Sequence, residues 1–501
     1  MDRYDLVVIG AGVGLMVIEA ALAKGLTCAL IEQAKVGGTC LTKGCIPSKI
    51  LVFPADMIRE SQAAYRVGLD YSPPRVDWEV ISRRMWSEIN LSHSIEKSLR
   101  AIDNLAFFKG TAEFTGPATL QVHDPEGGLS DPFTGDRIVI AAGARSNVPP
   151  IPGLKSADFV TPESFFGDKF PARPYKSLAI IGGGPIGAEF AHIFSAMGSH
   201  VTLIEARPRL LAAEEEEISA FVEKQFRKND IDVYTNTAVL SAGRDEQGKF
   251  LTLAAGDSRQ ITVECEEIFI AAGTHANSDL LQLDKTGVVT DTKGWIITDE
   301  FLETSQKGIW AIGDINGKFQ LRHKANFEAE ILIRNLFGQG EKAEITYHAV
   351  PWAVFTCPQV AHVGLTEHEI KGRGKNYWVG YNHYSAIAGG IAMGYAAGDE
   401  DDGFVKILVD DERRIVGLHI AGPHAAILLQ PFVYLMNAGQ KCRGPQSAPA
   451  GTSVTEIKGL RVMCPPLGTY QPINDSMVIH PSLNELTAWV IENIDWSDTR
   501  S

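Results

Sequence analysis

Two cysteines, Cys40 and Cys45, lie five positions apart in the segment GGTCLTKGCIPSK (residues 37–49), followed after Ile46 by Pro47, Ser48 and Lys49. Three chemistries use a close cysteine pair: metal binding, structural crosslinking and electron transfer. A structural zinc site takes about four ligands in paired short spacings, and no second Cys/His pair lies nearby in the sequence. A stabilising crosslink gains most from a long loop, and this one would close only a few residues. On a regular helix, residues five apart are roughly 8–9 Å between Cα atoms, beyond the about 4.4–6.8 Å that a disulfide spans. The backbone is therefore expected to be distorted here, eased by Gly44 and Pro47. A strained disulfide is an easily reduced one, and a thiolate at a helix N-terminus is stabilised by the dipole. A redox role fits the pair best.

Disulfide exchange also needs a group that takes a proton from an attacking thiol and later returns it. Histidine, with an ordinary pKa of about 6.5, suits that task near neutral pH. His480 stands in MVIHPSLNELTAWVIENI, followed by Pro481 and Glu485. A carboxylate orienting the imidazole raises its basicity.

Such groups must be held by larger elements, and two stretches read as nucleotide-binding folds. DLVVI (residues 5–9) is an apolar run of strand length, followed by GAGVGL, a helical pattern and a second strand, TCALIE, ending in Glu32. Glycines at a strand-to-helix turn let the backbone approach a pyrophosphate, and an acid about 20 residues on accepts from ribose hydroxyls. Gly10, Gly12 and Gly14 are present, but the third fingerprint glycine is replaced by Leu15, so helix-to-strand packing is expected to differ there. The pattern recurs in SLAIIGGGPIGAEFAHIFSAMGSHVTLIEA, with Gly182, Gly184, Gly187 and a closing Glu205. The chain is thus expected to bind two dinucleotides. Glu205 would repel a 2′-phosphate and favour NAD over NADP, a preference that Arg207 and Arg209 soften. In GIWAIGDINGK an apolar strand ends at Gly313 and Asp314.

The bulk numbers agree with several soluble units. The 501 residues exceed what one core accommodates. A net charge of −15 without a basic run argues against nucleic acid. The N-terminal apolar stretch carries Glu19 and an acidic lead of Asp2 and Asp5, so it reads as a buried strand, turn and helix, with no membrane insertion and a cytoplasmic location expected. Seven cysteines, thinly spread, are not a secreted disulfide framework.

The cysteine segment, both glycine fingerprints, AIGD and HPSLNE occur in the order found in the flavin-dependent pyridine nucleotide-disulfide oxidoreductases. The chain resembles that family over nearly its whole length, and within it the dihydrolipoamide dehydrogenases most. The resemblance implies an α/β protein with two Rossmann-like dinucleotide-binding domains plus a C-terminal α+β dimerisation domain. Its implied segments are 1–150 (FAD, first part), 151–275 (NAD), 276–345 (FAD or central, second part) and 346–501 (interface). Gly10, Gly12, Gly14, Glu32, Gly38, Thr39, Gly143, Gly313 and Asp314 would contact FAD, with Asp314 on the ribityl chain. Gly182, Gly184, Gly187, Glu205 and Gly273 would contact NAD. Lys49 and Glu189 would pair near the flavin N5 edge. Cys40 would be the outer interchange thiol and Cys45 the flavin-side thiol. His480 and Glu485 would complete the active site of the partner subunit in a homodimer. No metal is implied.

The resemblance also directs the substrate expectation. The C-terminal ENIDWSDTRS lacks the extra cysteine pair of mercuric reductases and larger thioredoxin reductases, and glutathione-type reductases place arginine where this chain has Glu205. A dihydrolipoyl dehydrogenase cycle remains, with the lipoyl group on a separate protein, since no lipoyl domain precedes residue 1. An NAD(P)H-dependent reductase of another small disulfide and a non-catalytic flavoprotein subunit are the alternatives. Two departures stand out: extra Pro, Gly, Ser and Thr at about 440–475, and AAGTHAN (271–277), which lacks the arginine and proline common after Gly273.

Overall fold

The computed structural model describes residues 1–255, 259–410, 414–437, 454–457, 460–463 and 475–480. The chain forms two compact units, Met1–Thr346 and Tyr347–Ser501.

The first unit begins with β1 (Leu6–Ile9), α1 (Gly14–Leu22), β2 (Cys28–Glu32), α2 (Gly38–Thr42) and α3 (Cys45–Ala63). β3 (Leu105–Lys109) and β4 (Ile138–Ile140) follow. β5 (Ser177–Ile181), α4 (Pro185–Ala196), β6 (His200–Ile204), β7 (Ile231–Tyr234) and β8 (Glu267–Ile270) make the second fold. β9 (Ile309–Ala311) and α5 (Arg322–Phe337) return to the first.

β9, β4, β1, β2 and β3 lie side by side in that order, every pair parallel. Their unbroken Val, Ile, Leu and Ala runs are those of strands covered on both faces. Val7, Ile9, Ala29, Ile31, Ile138, Ile140 and Ile309 share one buried cluster. Each such side chain contributes about 1.5–3 kcal/mol when fully buried. The second sheet orders β7, β6, β5 and β8, again all parallel. In both sheets the glycine turn follows a central strand, where the edge of a doubly wound sheet opens for a ligand.

The two turns are built alike. Gly10 has φ +105° and a Cβ there would sit 2.3 Å from Ala141 O; Gly182 has φ +117° and a Cβ would sit 2.3 Å from Ala271 O. Only glycine meets both conditions. The missing third glycine is answered by Gly14, whose added Cβ would meet Val8 Cγ1 at 2.6 Å. Gly187 has the corresponding duty in the second fold, where a Cβ would strike Gly182 O at 1.8 Å. Close helix-to-strand packing is thus kept in the first fold, one residue earlier than the fingerprint requires.

In the second unit β10 (Trp352–Val354), β11 (Val360–Gly364), β12 (Tyr377–His383), β13 (Phe404–Asp410) and β14 (Ile415–Ala421) form an antiparallel sheet. Its order is β10, β11, β14, β13, β12. α6 (Ala425–Asn437) lays Ala425, Ala426, Leu429, Val433 and Met436 on Ala361, Val363, Leu418 and Ile420. Its opposite side leaves Leu428 and Leu435 exposed. Within the expected insert, Val454–Ile457 pairs antiparallel with Leu460–Met463. Glu485 lies outside the described residues.

Among the described residues, no helix is long and apolar enough to cross a membrane.

Candidate active site

The candidate centre is assembled at the end of the first parallel sheet. A cleft open to solvent is lined by Gly10, Gly12, Glu32, Gly38, Thr39, Cys40, Cys45, Gly143, Gly313 and Asp314. These positions come from five separate stretches of sequence, and the fold brings them to one wall system. Gly14 and Lys49 do not line it. Gly182, Gly184, Gly187 and Glu205 lie at the second glycine turn, and Gly273 just beyond β8 in a left-handed conformation (φ +87°).

Cys40 and Cys45 occupy two different helices. Cys40 lies in α2 and Cys45 is the first residue of α3, with the break at Lys43 (φ −155°, ψ 17°) and Gly44 (φ −141°, ψ −114°). Pro47 sits in the first turn of α3, where it interrupts no hydrogen bond. Gly44 fits because an added Cβ would crowd Thr39 O at 3.0 Å. Both thiols are half-buried on the cleft. A helix N-terminus favours the thiolate at Cys45.

One turn into α3, Lys49 Nζ meets Glu189 Oε2 of α4 at 2.7 Å, with side chains 21% and 12% exposed. The two residues are 140 positions apart in sequence. A half-buried ion pair of this kind is held better than a surface one, because water screens it less.

The two fold-closing acids have the same geometry. Glu32 accepts from the backbone N–H of Ala11 and of Ala34, each at 2.7 Å. Glu205 accepts from Gly183 N–H at 2.7 Å and Arg207 N–H at 2.8 Å. Each carboxylate therefore ties its glycine turn to the end of the neighbouring strand, a duty the sequence pattern does not reveal. Ordinary ribose recognition still has lone pairs available on these oxygens. Arg209 is engaged by Glu216 at 2.7 Å, while Arg207 is exposed.

Asp314 stands at the cleft after β9. Burial pushes its carboxyl up to about 6, with nearby Lys324 opposing and Cys45 adding to the rise. Beneath it lies a device missed by sequence reasoning. Lys324 Nζ donates to Gly313 O at 2.9 Å and Asn316 Oδ1 at 2.8 Å, while Glu328 accepts from Gly313 N–H and Asn316 Nδ2, both at 2.7 Å. The signal was a Lys and a Glu four apart on a helix facing a GD turn. From the sequence this is an ordinary surface pair.

His480 is half-buried in the second unit. The segment before it is pinned to α6 by Gln430, which donates to Met477 O at 3.2 Å and accepts from Ile479 N–H at 3.0 Å. Gln430 is 1% exposed. A glutamine inside an otherwise apolar helix was the available clue. At 271–277, Asn277 Nδ2 donates to Ala142 O at 2.8 Å and Arg145 Nη1 donates to Asn277 Oδ1 at 2.9 Å.

The cleft fits a dinucleotide on its own features. An added Cβ on Gly38 would fall 2.6 Å from Gly12 Cα, so these two glycines leave backbone bare at the turn where a phosphate approaches. Two such turns in one chain, with a cysteine pair on the first, define a nucleotide-dependent redox protein. The chain belongs to the pyridine nucleotide-disulphide oxidoreductases: residues 4–329 match that family, and residues 350–444 match its dimerisation domain. Members of the family use FAD and NAD(P)H. The chain is 32% identical over 451 residues to a mycothione reductase of Mycobacterium tuberculosis, covering 88% of this chain and 94% of that one. It is also 32% identical over 434 residues to a dihydrolipoyl dehydrogenase of Zymomonas mobilis, covering 86% and 91%. Among solved structures it resembles the Cu(II) complex of the HOCl-induced flavoprotein disulfide reductase RclA from Escherichia coli. That likeness has a TM-score of 0.75 at 26% identity and covers 99% of this chain and all of the other.

Proposed function

We propose that this protein is a dihydrolipoamide dehydrogenase-like enzyme, moving electrons from a dihydrolipoyl group through Cys40 and Cys45 to NAD. The observation that carries the reading is the pair of thiols at the α2–α3 break, on the same cleft as Asp314. Gly10, Gly12, Gly38, Gly143 and Asp314 would hold FAD, which when bound supplies the two-electron link between dithiol and nicotinamide. Lys49 and Glu189 would border it, and Gly182, Gly184, Gly187, Glu205 and Gly273 would receive NAD.

The protein's own part is disulfide exchange. One thiolate of the reduced substrate attacks Cys40, forming a mixed disulfide and releasing Cys45 as thiolate. The second substrate thiol then displaces Cys40, closing the substrate disulfide and leaving both enzyme cysteines reduced. His480 accepts the proton of the attacking thiol, and Glu485 orients its ring. In the homodimer that the dimerisation domain supports, this base comes from the opposite subunit, so turnover needs the dimer. A separate lipoyl-bearing protein and a cytoplasmic setting belong to the same reading.

A second reading is supported by the mycothione reductase relative, equal in identity to the dehydrogenase. In it the same relay runs backwards, reducing a low-molecular-weight disulfide with NADH or NADPH. The test is NADH formation from NAD and dihydrolipoamide, with Cys45→Ser alongside. Activity lost in the variant supports the first reading. No activity in the parent, with NADH still bleaching the flavin and a panel of small disulfides being reduced, selects the second. Flavin bleaching without any thiol reaction would leave a non-catalytic flavoprotein.

A further inference from the structure

α3 starts at Cys45, and α4 starts immediately after the second glycine turn. Contact between these helices therefore joins the thiol end of one to the nucleotide end of the other. Three polar pairs cross the contact in the same order along both helices. Lys49 meets Glu189 at 2.7 Å, Asp56 Oδ1 meets His192 Nε2 at 2.8 Å, and Arg59 Nη2 donates to Ser195 Oγ at 2.7 Å.

The middle pair differs from the first in stiffness. A lysine has four rotatable side-chain bonds and can keep its partner over a range of helix offsets. Aspartate and histidine have two each, so a 2.8 Å contact is met within a narrow range. His192 is also enclosed, with a side chain 1% exposed against 26% for Asp56. Burying an imidazole against a carboxylate costs desolvation that an apolar pair of equal volume would not, so packing alone gives no reason for it. Apolar burial is already available on both helices: Leu51, Val52, Ala55 and Ile58 are buried on α3, Phe190 and Ile193 on α4.

We propose that Asp56 and His192 are positioning residues that set the offset of α3 against α4, and so hold Cys45 and Lys49 in place opposite Glu189. This rests on the reading that Cys45 exchanges electrons with the nicotinamide through bound flavin. It needs no particular disulfide substrate.

The test uses the full-length, flavin-loaded protein with His192→Leu and His192→Gln. Three quantities are read: the single-turnover rate at which NADH bleaches the flavin, the long-wavelength absorbance arising when the Cys45 thiolate lies against it, and the melting temperature. His192→Leu is expected to slow bleaching about tenfold or more and to weaken the absorbance, because small misplacements are costly near reacting groups. His192→Gln, whose amide still donates to Asp56, is expected to return both to within about threefold of the parent. Parent-like bleaching and absorbance in both variants, whatever their melting temperatures, would overturn the proposal. If His192→Leu does not fold, Asp56→Ala takes its place, with the same losses expected and unchanged kinetics decisive against. Because no lipoyl substrate is used, failure of the dehydrogenase assay leaves these readouts intact. A parent flavin that NADH does not bleach overturns both readings.

Discussion

Lys324 and Glu328, one turn apart on α5, meet at 3.1 Å with neither side chain exposed, and between them they hold both backbone polar groups of Gly313. Asp314 is the next residue, so its place at the cleft is fixed by a buried ion pair beneath it. Removing one partner leaves the other charge buried and unpaired, which costs about 3–5 kcal/mol, whereas replacing both by apolar residues is often neutral. Lys324→Met is therefore expected to be strongly destabilised in chemical denaturation. The double variant Lys324→Met/Glu328→Leu removes the unpaired charge but leaves Gly313 N–H, Gly313 O and Asn316 Nδ2 without these partners, at about 1–3 kcal/mol each, so it should recover only part of that loss. Flavin retention on gel filtration should be impaired in both, because the first loses the bond to Gly313 O and the second loses the bonds to both polar groups of Gly313.

The raised carboxyl of Asp314 gives a pH signature in the flavin-free protein. Its folded value of about 6 lies above the unfolded value of about 3.9. The folded state therefore binds the extra proton, and this contribution to stability is full below the unfolded value and lost as pH rises through about 6. Asp314→Asn cannot ionise. Thermal melts should show parent and variant alike at acidic pH, with the variant increasingly more stable than the parent as pH passes from about 4 to above 6. The same variant should bind flavin more weakly. A stability difference that shrinks on raising the pH would contradict the assignment.

The parts legible in the sequence are those whose signal is local. The two glycine turns could be read because strand, turn, helix and closing acid follow one another within about 30 residues, and the cysteine segment because its distortion follows from spacing. The helix break falls at Lys43 and Gly44, and so includes the glycine expected to ease it. What could not be read depends on tertiary proximity. Lys49 and Glu189 came only from family resemblance, since 140 residues separate them. Lys324 and Glu328 look like ordinary helix residues until the fold buries them. Gly14 shows a milder limit: the expected change in packing was absorbed by moving the bare backbone one position.

Glu205 has two duties that a substitution should separate. Its carboxylate accepts from Gly183 and Arg207 N–H, and its charge would oppose a 2′-phosphate. Glu205→Gln keeps the shape but replaces one acceptor by a donor. Losing one of the two bonds is expected to cost about 1–3 kcal/mol. Removing the charge should raise the NADPH-to-NADH ratio of flavin bleaching rates, with exposed Arg207 available to the phosphate. Arg209→Ala should change that ratio little, because its guanidinium is already held by Glu216. Comparing the two nucleotides across these variants checks both statements.

Gln430 offers the corresponding test for the proposed proton-transfer role of His480. It bridges Met477 O and Ile479 N–H from inside α6, ending one residue short of His480. Gln430→Leu preserves the volume against Leu429 and Val433 but leaves a buried carbonyl and a buried N–H unpaired, at about 1–3 kcal/mol for each. The segment should then loosen, and disulfide turnover should fall while NADH still bleaches the flavin at the parent rate, since the proposal gives His480 a part only in thiol chemistry. Gln430→Glu is the informative companion. Its carboxylate keeps the bond from Ile479 N–H but faces Met477 O with a lone pair instead of a donor. Burial raises a carboxyl's pKa, and the protonated form again has a donor for Met477 O. Turnover of Gln430→Glu relative to the parent should therefore rise as pH falls, whereas the Gln430→Leu ratio should not follow pH in this way. Equal pH profiles in the two variants would show that the bridge does not control the base.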